Sequence, residues 1–346
     1  MTEPRKPARY GRIHRPDNAW LAKQPNESIL DPDLPIIDTH HHLWDRSDFR
    51  YLLHDFLADT NTGHNIVATI FLQCHTMYRA GGPDELRPIG ETEFVAGIAA
   101  MSDSGGYGKT RVAAGIVGYA DLTLGERVEA VLEAHIRAAG GRFRGVRHSG
   151  NWDADPIIGN GAPGPDIYRS AEFRAGLARL TALGLSLDAW VFHTQLADVI
   201  DLARAFPGTN IIMGHVGGVL GYGPYAGKRD EIFAGWKIAI AELAKCPNVT
   251  MKLGGMLMRS ALFDYGLAER PVTSEELAAH WRPYIEFCIE QFGATRCMFE
   301  SNFPVEKMGI GYAALWNAFK RIAAGASADE KLALFHDTAR RAYRLT

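Results

Sequence analysis

The sequence is poor in cysteine and has none of the spacings that indicate a disulfide framework or a zinc ribbon. Its 346 residues include four cysteines, and no two of them form a Cys-x-x-Cys pair. Such sparse use is typical of a reducing compartment. Residues 1–16 contain basic side chains but no apolar core, so no secretory signal is evident. We therefore expect a cytoplasmic protein.

The chain also lacks a long hydrophobic run, a strong net charge and a glycine-rich phosphate turn. No stretch approaches the roughly 18 apolar residues of a membrane helix. The formal net charge of -3 argues against nucleic-acid binding, which usually needs a basic face. A doubly wound nucleotide-binding sheet would need a glycine-rich turn after its first strand, where this chain has His40-His41-His42. These absences favour an enzyme that acts on a small molecule.

Strand-like and helix-like segments alternate along most of the chain. Short β-branched runs begin near residues 36, 66, 112, 143, 185, 210, 249 and 297. The segments 123–140, 170–184 and 273–293 between them have apolar residues at helical spacing. Alternation of this kind indicates a parallel sheet, and eight units predict closure as an α/β (β/α)8 TIM barrel. The competing architecture is the doubly wound open sheet.

The predicted barrel covers residues 34–346, and residues 1–33 form a basic, proline-containing N-terminal extension. This arm is expected either to wrap the body or a partner subunit, with Trp20 as an anchor, or to be a floppy tail. A homodimer is expected because it is the commonest assembly.

Polar residues cluster at the predicted strand ends, where the active site of such a barrel lies. Because strand side chains alternate, His40 and His42 project to one side and His41 to the other. The strand-end residues are His40, His42, Gln73, His75, Arg147, His148, His193, His215, Glu300 and Asn302, and Lys252 lies within the seventh strand. Any one histidine is consistent with a core or loop position, but their joint placement indicates a catalytic or metal site.

Several of these segments resemble the amidohydrolase superfamily, in the amidohydrolase-2 branch. That branch includes lactonases acting on pyrone-dicarboxylate, sugar lactones and muconolactones. The resemblance covers about residues 34–346 and rests on DTHHH at 38–42, GVRH at 145–148, GHVG at 214–217, MKLGG at 251–255, MFESNFPV at 298–305 and ARRAYRL at 339–345.

The resemblance implies that His40, His42 and His193 are metal ligands or groups that polarise the substrate. His215 would be a fourth imidazole near the substrate. The expected cofactor is a divalent metal, with zinc the first choice, although some relatives work without tightly bound metal. Glu300 is a further possible ligand.

Position 302 departs from the family pattern, which has an aspartate that binds metal and takes the proton of the attacking water. Asn302 cannot accept a proton at neutral pH. Glu300 could replace the aspartate, or it could pair with Lys252 or Arg147 in the barrel floor. Alternatively, a histidine (His193, His215 or His148) is the base, or the protein is a catalytically silent binding protein.

The predicted substrate-binding residues surround the strand ends. Arg147 suits a substrate carboxylate, since its guanidinium bonds bidentately. Loops after the second and fourth strands would add His75, Tyr78 and Trp152, together with Gln73, His148 and Lys252. The predicted reaction is hydrolysis of a lactone or related ester of a small carboxylated substrate by activated water. The alternative enzyme is a metal-dependent, non-oxidative decarboxylase of an aromatic acid.

Overall fold

Eight parallel strands form one sheet whose spatial order follows the chain, in a computed structural model that describes residues 6–346. Residues 1–5 of the predicted arm lie outside the described residues. The strands are β1 Ile36–His41, β2 Ile66–Leu72, β3 Arg111–Gly118, β4 Phe143–Val146, β5 Ser186–Ala189, β6 Ile211–Met213, β7 Val249–Leu253 and β8 Cys297–Phe299. All eight begin within a residue or so of the predicted runs, because β-branched apolar segments suit a sheet that is buried on both faces.

A helix follows each strand and covers the outside of the sheet. The helices are α1 Leu53–Thr60, α2 Ile89–Asp103, α3 Val128–Ala138, α4 Ala171–Ala182, α5 Leu196–Ala205, α6 Arg229–Ala244, α7 Ser274–Phe292 and α8 Tyr312–Ile322. Short helices also occur at Asn18–Leu21, His215–Gly218, Leu257–Ser260, Ala328–Leu332, Ala333–Asp337 and Thr338–Ala342, and a small hairpin joins Trp44–Asp45 to Arg50–Tyr51.

Local signals set the helix ends. Thr273 caps α7 and forms a capping box with Glu276, as the Thr-Ser-Glu-Glu sequence indicates. The predicted helix 123–140 is shorter than expected. Gly125 has a non-helical backbone (φ 60°, ψ −136°), so residues before it form a 3-10 turn and α3 begins at Val128.

The sheet closes between β1 and the segment that follows β8. The Asn302 amide donates to the His40 carbonyl (2.8 Å), and the His42 amide donates to the Phe303 carbonyl (2.8 Å). Below them, the buried Asp38 carboxylate accepts hydrogen bonds from the Ser301 amide (2.9 Å) and hydroxyl (2.6 Å). The predicted TIM barrel is therefore confirmed, and its closure brings the two ends of the strand series together.

Apolar side chains fill the barrel interior below this closure. Ile37, Ile70, Val117 and Ile212 form one buried cluster with Tyr343 from the C-terminal segment. A larger cluster lies between the strands and the surrounding helices. The packed interior leaves the carboxyl ends of the strands as the place where polar side chains can meet.

The arm, as far as the structure describes it, lies along its own barrel. Trp20 is buried and its indole Nε1 donates to the Ala268 carbonyl (2.9 Å). The Tyr10 hydroxyl donates to the Phe263 carbonyl (2.7 Å), and the Leu30 amide donates to Asn317 Oδ1 (2.9 Å). The boundary at residues 33 and 34 stays a prediction. No helix among residues 6–346 is long and apolar enough to cross a membrane.

Candidate active site

Strand β1 and the residue that follows it present two histidines, His40 and His42, to the mouth of the barrel and one, His41, to the outside. The His40 and His42 rings are 4.8 Å apart, whereas His41 stacks on Phe56 at 4.2 Å. Tyr51 and α1 cover that outer side. The alternation predicted from the sequence is confirmed, and it separates a packing histidine from the two histidines of the site.

Glu300 lies between His40 and His215 and accepts a hydrogen bond from each ring. His40 Nδ1 is 2.8 Å from Oε2, and His215 Nδ1 is 2.7 Å from Oε1. The His215 backbone amide also donates to Oε1 (3.0 Å). Burial raises the pKa of Glu300, but the two imidazoles outweigh it and hold the pKa well below the usual range. Glu300 is therefore a buried carboxylate.

The predicted ion pair of Glu300 with Lys252 is a minor contact. Lys252 Nζ lies 4.0 Å from Glu300, but it lies 3.0 Å from Asp188 and donates to the Thr39 carbonyl (2.8 Å). Lys252 is fully buried. It therefore belongs to the barrel floor rather than to the substrate-facing surface.

Hydrogen bonds at Nδ1 set the tautomers of the three site histidines. Glu300 accepts from His40 and His215, and the Leu72 carbonyl accepts from His42 Nδ1 (2.8 Å). Burial lowers the pKa of both His40 and His42 well below the usual value, with further lowering by Lys252 and Arg147, respectively. Neutral rings with Nδ1 protonated carry a lone pair at Nε2.

Two of these lone pairs converge. His40 Nε2 and His42 Nε2 are 3.2 Å apart. Two ligands at about 2.0–2.1 Å from a tetrahedral zinc ion lie roughly 3.4 Å apart. Facing lone pairs repel each other unless a cation lies between them, so the donor chemistry fits a divalent metal.

A wider set of candidate metal ligands consists of His40, His215 and Glu300, whose ligand atoms lie within 4.8 Å of one another. Both Glu300 oxygens already accept from Nδ1–H groups. Glu300 is thus placed to orient the imidazoles, a role that carboxylates often have behind metal-binding histidines.

The Arg147 guanidinium competes with a metal ion for the lone pair of His40 Nε2. Its Nη1 donates to His40 Nε2 (3.2 Å), and its Nη2 donates to the Gln73 carbonyl. Arg147 is half-buried, and burial lowers the pKa of its guanidinium. Arg147 therefore places a positive charge directly at the histidine pair.

His215 is held by features that follow β5 and β7. The Trp190 ring packs edge-on against His215 at 4.7 Å. A Cβ at Gly255 would lie 1.8 Å from His215 Nδ1, so glycine is required where β7 leaves the sheet. Sequence reasoning missed Trp190, which follows β5 directly.

His193 is not part of this group. It lies in a 3-10 turn after β5, where its Nδ1 accepts from the Leu220 amide (3.4 Å) and its ring faces Tyr225 at 5.2 Å. Trp152 lies on the same side, with its amide donating to Gln195 (2.8 Å). Metal binding by His193 stays a prediction that these contacts do not favour.

A second polar cluster borders Arg147. His75 Nδ1 is 3.0 Å from the Tyr78 hydroxyl, and the Tyr119 ring lies 5.6 Å from His75 and 5.5 Å from His148. Burial, followed by Asp121, raises the pKa of Tyr119 to about 12. Tyr119 is absent from the sequence predictions, although its place directly after β3 was a usable signal.

Asn302 has a left-handed backbone (φ 53°), and its Nδ2 donates to Glu306 Oε1 (3.2 Å). Glu306 is fully buried, and burial raises its pKa to about 8. The sequence predictions did not include Glu306. The sequence did contain a signal for this contact. Glu306 lies four positions after Asn302, which is close enough for the two side chains to meet when the chain turns.

Comparisons with known proteins find a matching family model and several similar chains. A family model described as amidohydrolase matches residues 37–345. An uncharacterized protein, y4mH, of Sinorhizobium fredii is 36% identical over 339 residues, covering 90% of this chain and 99% of that protein. An L-fucono-1,5-lactonase of Burkholderia multivorans is 27% identical over 324 residues, covering 89% of this chain and 96% of that enzyme.

A similar solved structure is an amidohydrolase of Burkholderia multivorans with bound zinc. It is 26% identical and has a TM-score of 0.68, covering 90% of this chain and 99% of that one.

Proposed function

Since the chain belongs to the amidohydrolase family and is an enzyme of amidohydrolase type, we propose that it hydrolyses a lactone or related ester of a small carboxylated substrate. The observation that carries the proposal is the array of His40, His42 and His215, whose Nε2 lone pairs are set by buried hydrogen bonds beside Arg147.

His215 suits the role of general base. Its Nδ1 donates to the Glu300 carboxylate (2.7 Å), so a proton taken up at Nε2 would be stabilised by an adjacent negative charge. This is the alternative, left open by the sequence, in which a histidine takes the proton that Asn302 cannot accept. Water attack would follow on the face of the carbonyl turned toward His215.

Arg147 would bind negative charge on the substrate. A substrate can replace His40 as the acceptor of the hydrogen bond from Arg147 Nη1. A carboxylate or a developing oxyanion is a stronger acceptor than a neutral imidazole. Tyr78, Tyr119 and His75 form the adjoining wall and would bind the polar groups of a ring. The lactonase among the relatives supports a lactone rather than an aromatic acid.

A divalent metal, zinc first, would be held by His40 and His42, and when bound it would polarise the carbonyl. The zinc in the similar amidohydrolase supports this cofactor. Arg147 would then turn from His40 Nε2 to the substrate. A cytoplasmic location, a homodimer and a small-molecule partner stay predictions.

The test is a substrate panel on purified protein of known metal content. Sugar-acid lactones, carboxylated pyrones and aromatic acids are assayed for acid release and for carbon dioxide. We expect lactone hydrolysis, with His215→Asn lowering kcat by about 100- to 10,000-fold and Arg147→Met raising KM. The exposed His54→Asn is the matched control.

Two outcomes would contradict the proposal. Carbon dioxide release without lactone hydrolysis would identify a decarboxylase. Binding of panel compounds without turnover, with and without added zinc, would identify a silent binding protein.

A further inference from the structure

A buried carboxyl group, Glu91, has no role in the proposed hydrolysis but holds the loop after β2. It lies in the first turn of α2 and is 1% exposed. Its Oε1 accepts from the Cys74 amide and from the Thr76 amide, both at 2.9 Å. Its Oε2 has no hydrogen-bond partner within residues 6–346. Burial raises the pKa of Glu91 to about 7, and Oε1 remains an acceptor in both forms, because the proton of the neutral form can lie on Oε2.

The two amides meet one oxygen because the backbone between them is left-handed. His75 has φ 58°, and Met77 has φ 51°. Residues other than glycine seldom adopt this conformation, and where they do, the surrounding structure holds them in it. A left-handed residue turns neighbouring N–H groups to one side, where they can bind a single oxygen. Glu91 therefore supplies the acceptor that this backbone requires.

Helix α2 packs directly on the same loop. A Cβ at Gly90, the residue before Glu91, would lie 2.4 Å from the Met77 carbonyl oxygen and 2.7 Å from the Arg79 amide nitrogen. The Arg79 amide also donates to the Arg87 carbonyl (2.9 Å). The loop therefore rests on the start of α2, and Glu91 is the side chain that joins the two.

The loop also contacts the histidine group. The Gln73 carbonyl accepts from Arg147 Nη2, and Arg147 Nη1 donates to His40 Nε2 (3.2 Å). His75 is exposed, and its Nδ1 lies 3.0 Å from the Tyr78 hydroxyl. One short loop thus anchors Arg147 and carries two of the predicted substrate-binding side chains.

We propose that Glu91 is a positioning residue that holds His75 and Tyr78 in place for the substrate. It acts through the two loop amides, and the inference rests on the proposed function. The hydrogen bonds that set the three site histidines come from Glu300 and from the Leu72 carbonyl, not from this loop. Loss of the Glu91 acceptor should therefore weaken substrate binding and leave the chemical step nearly unchanged.

The first test removes the acceptor at nearly constant side-chain volume. In Glu91→Leu the Cys74 and Thr76 amides lose their partner, so the loop would shift. We expect KM for the lactone to rise by about 10- to 100-fold, with kcat changed by less than about threefold. Glu91→Gln keeps an oxygen for both amides and should leave KM within about threefold of the wild type. The exposed Glu85→Leu is the matched control.

A double-mutant cycle distinguishes positioning from a general loss of structure. Once His75→Ala and Tyr78→Phe have removed the substrate contacts of the loop, Glu91→Leu should raise KM by less than about a further threefold. Effects on KM that multiply in the combined variant would overturn the inference, and so would equal KM values for Glu91→Gln and Glu91→Leu.

A second variant covers the case in which Glu91→Leu does not fold. Glu91→Asp then takes its place, because the shorter side chain withdraws the carboxyl group from the two amides. It should reproduce the rise in KM, and an unchanged KM would overturn the inference.

Amide hydrogen exchange separates this inference from the proposed function. If the wild-type protein hydrolyses nothing, the proposed function fails, and exchange within residues 73–79 then decides the inference. We expect the Cys74 and Thr76 amides to exchange at least about tenfold faster in Glu91→Leu than in the wild type or in Glu91→Gln. Equal exchange in all three proteins would show that Glu91 does not hold the loop.

Discussion

Glu300 controls the protonation of two imidazoles at once. Its two oxygens accept from His40 Nδ1 and His215 Nδ1, so both Nε2 atoms are left as lone pairs. Two rings that share one carboxylate are coupled, since a change in its charge alters both tautomers. Orientation of the histidines, a role that the sequence did not predict for Glu300, has the closest contacts.

Glu300→Gln tests this arrangement. Glutamine offers one acceptor and one donor, so one imidazole would face an N–H group and would have to change tautomer. We expect metal affinity or kcat/KM to fall by about 10- to 100-fold, measured by metal titration and by lactone hydrolysis.

The exposed Glu290→Gln on α7 is the matched control for this variant. Unchanged metal affinity together with unchanged kcat/KM would show that the carboxylate does not set the tautomers.

Among the elements, the N-terminal arm is joined to the barrel at several separate points. Trp20 is 2% exposed and donates to Ala268, which lies between β7 and α7. Gln24 donates to the Val272 carbonyl (2.6 Å) and accepts from the Gly311 amide (3.0 Å). The His14 amide contacts Met308 Sδ (3.3 Å), close to the Glu306 turn. The arm therefore links the β7 and β8 sides of the barrel mouth.

Trp20→Ala should loosen this element. Removal of a buried tryptophan costs about 3–5 kcal/mol, and here it also leaves the Ala268 carbonyl without its indole donor. We expect a lower free energy of unfolding in urea and faster proteolytic cleavage before residue 36. Exposed Ile238→Ala is the control. Cleavage at the wild-type rate would show that Trp20 does not anchor the arm.

At the scale of the whole molecule, buried carboxyl groups make stability depend on pH. Burial raises the pKa of Asp38 to about 6 and that of Glu91 to about 7. The folded protein therefore keeps protons that the unfolded chain has already released. At these two groups the unfolded state binds fewer protons in this range, so their contribution to the free energy of unfolding falls as pH rises from about 4.5 to about 7. Buried histidines such as His41 and His64, whose pKa values burial lowers to about 3 and about 4, contribute in the opposite direction.

Glu91→Gln should flatten this decline. Glu91 Oε1 accepts from the Cys74 and Thr76 amides (both 2.9 Å), which a glutamine oxygen can also do. We expect the variant to lose about 3 kcal/mol less than the wild type between pH 4.5 and pH 7, measured by urea unfolding across that range. Exposed Glu85→Gln is the control. Parallel pH curves for wild type and Glu91→Gln would refute the argument.

The sequence by itself determined the eight strands, the barrel class and the pairing of His40 with His42. These features depend on the local alternation of apolar and polar side chains, which a short segment determines by itself. It also placed Glu300 and Asn302 at the end of β8, next to the strand that closes the barrel.

The tertiary structure alone decided which of these side chains meet. Glu300 contacts His40 across 260 residues and His215 across 85, and such contacts depend on closure of the sheet and on side-chain rotamers. His193 shares a strand-end position with the others, yet a 3-10 turn directs it to Tyr225. Glu306 reaches Asn302 because the chain turns sharply after β8. The hydrophobic periodicity of the sequence does not predict such a turn.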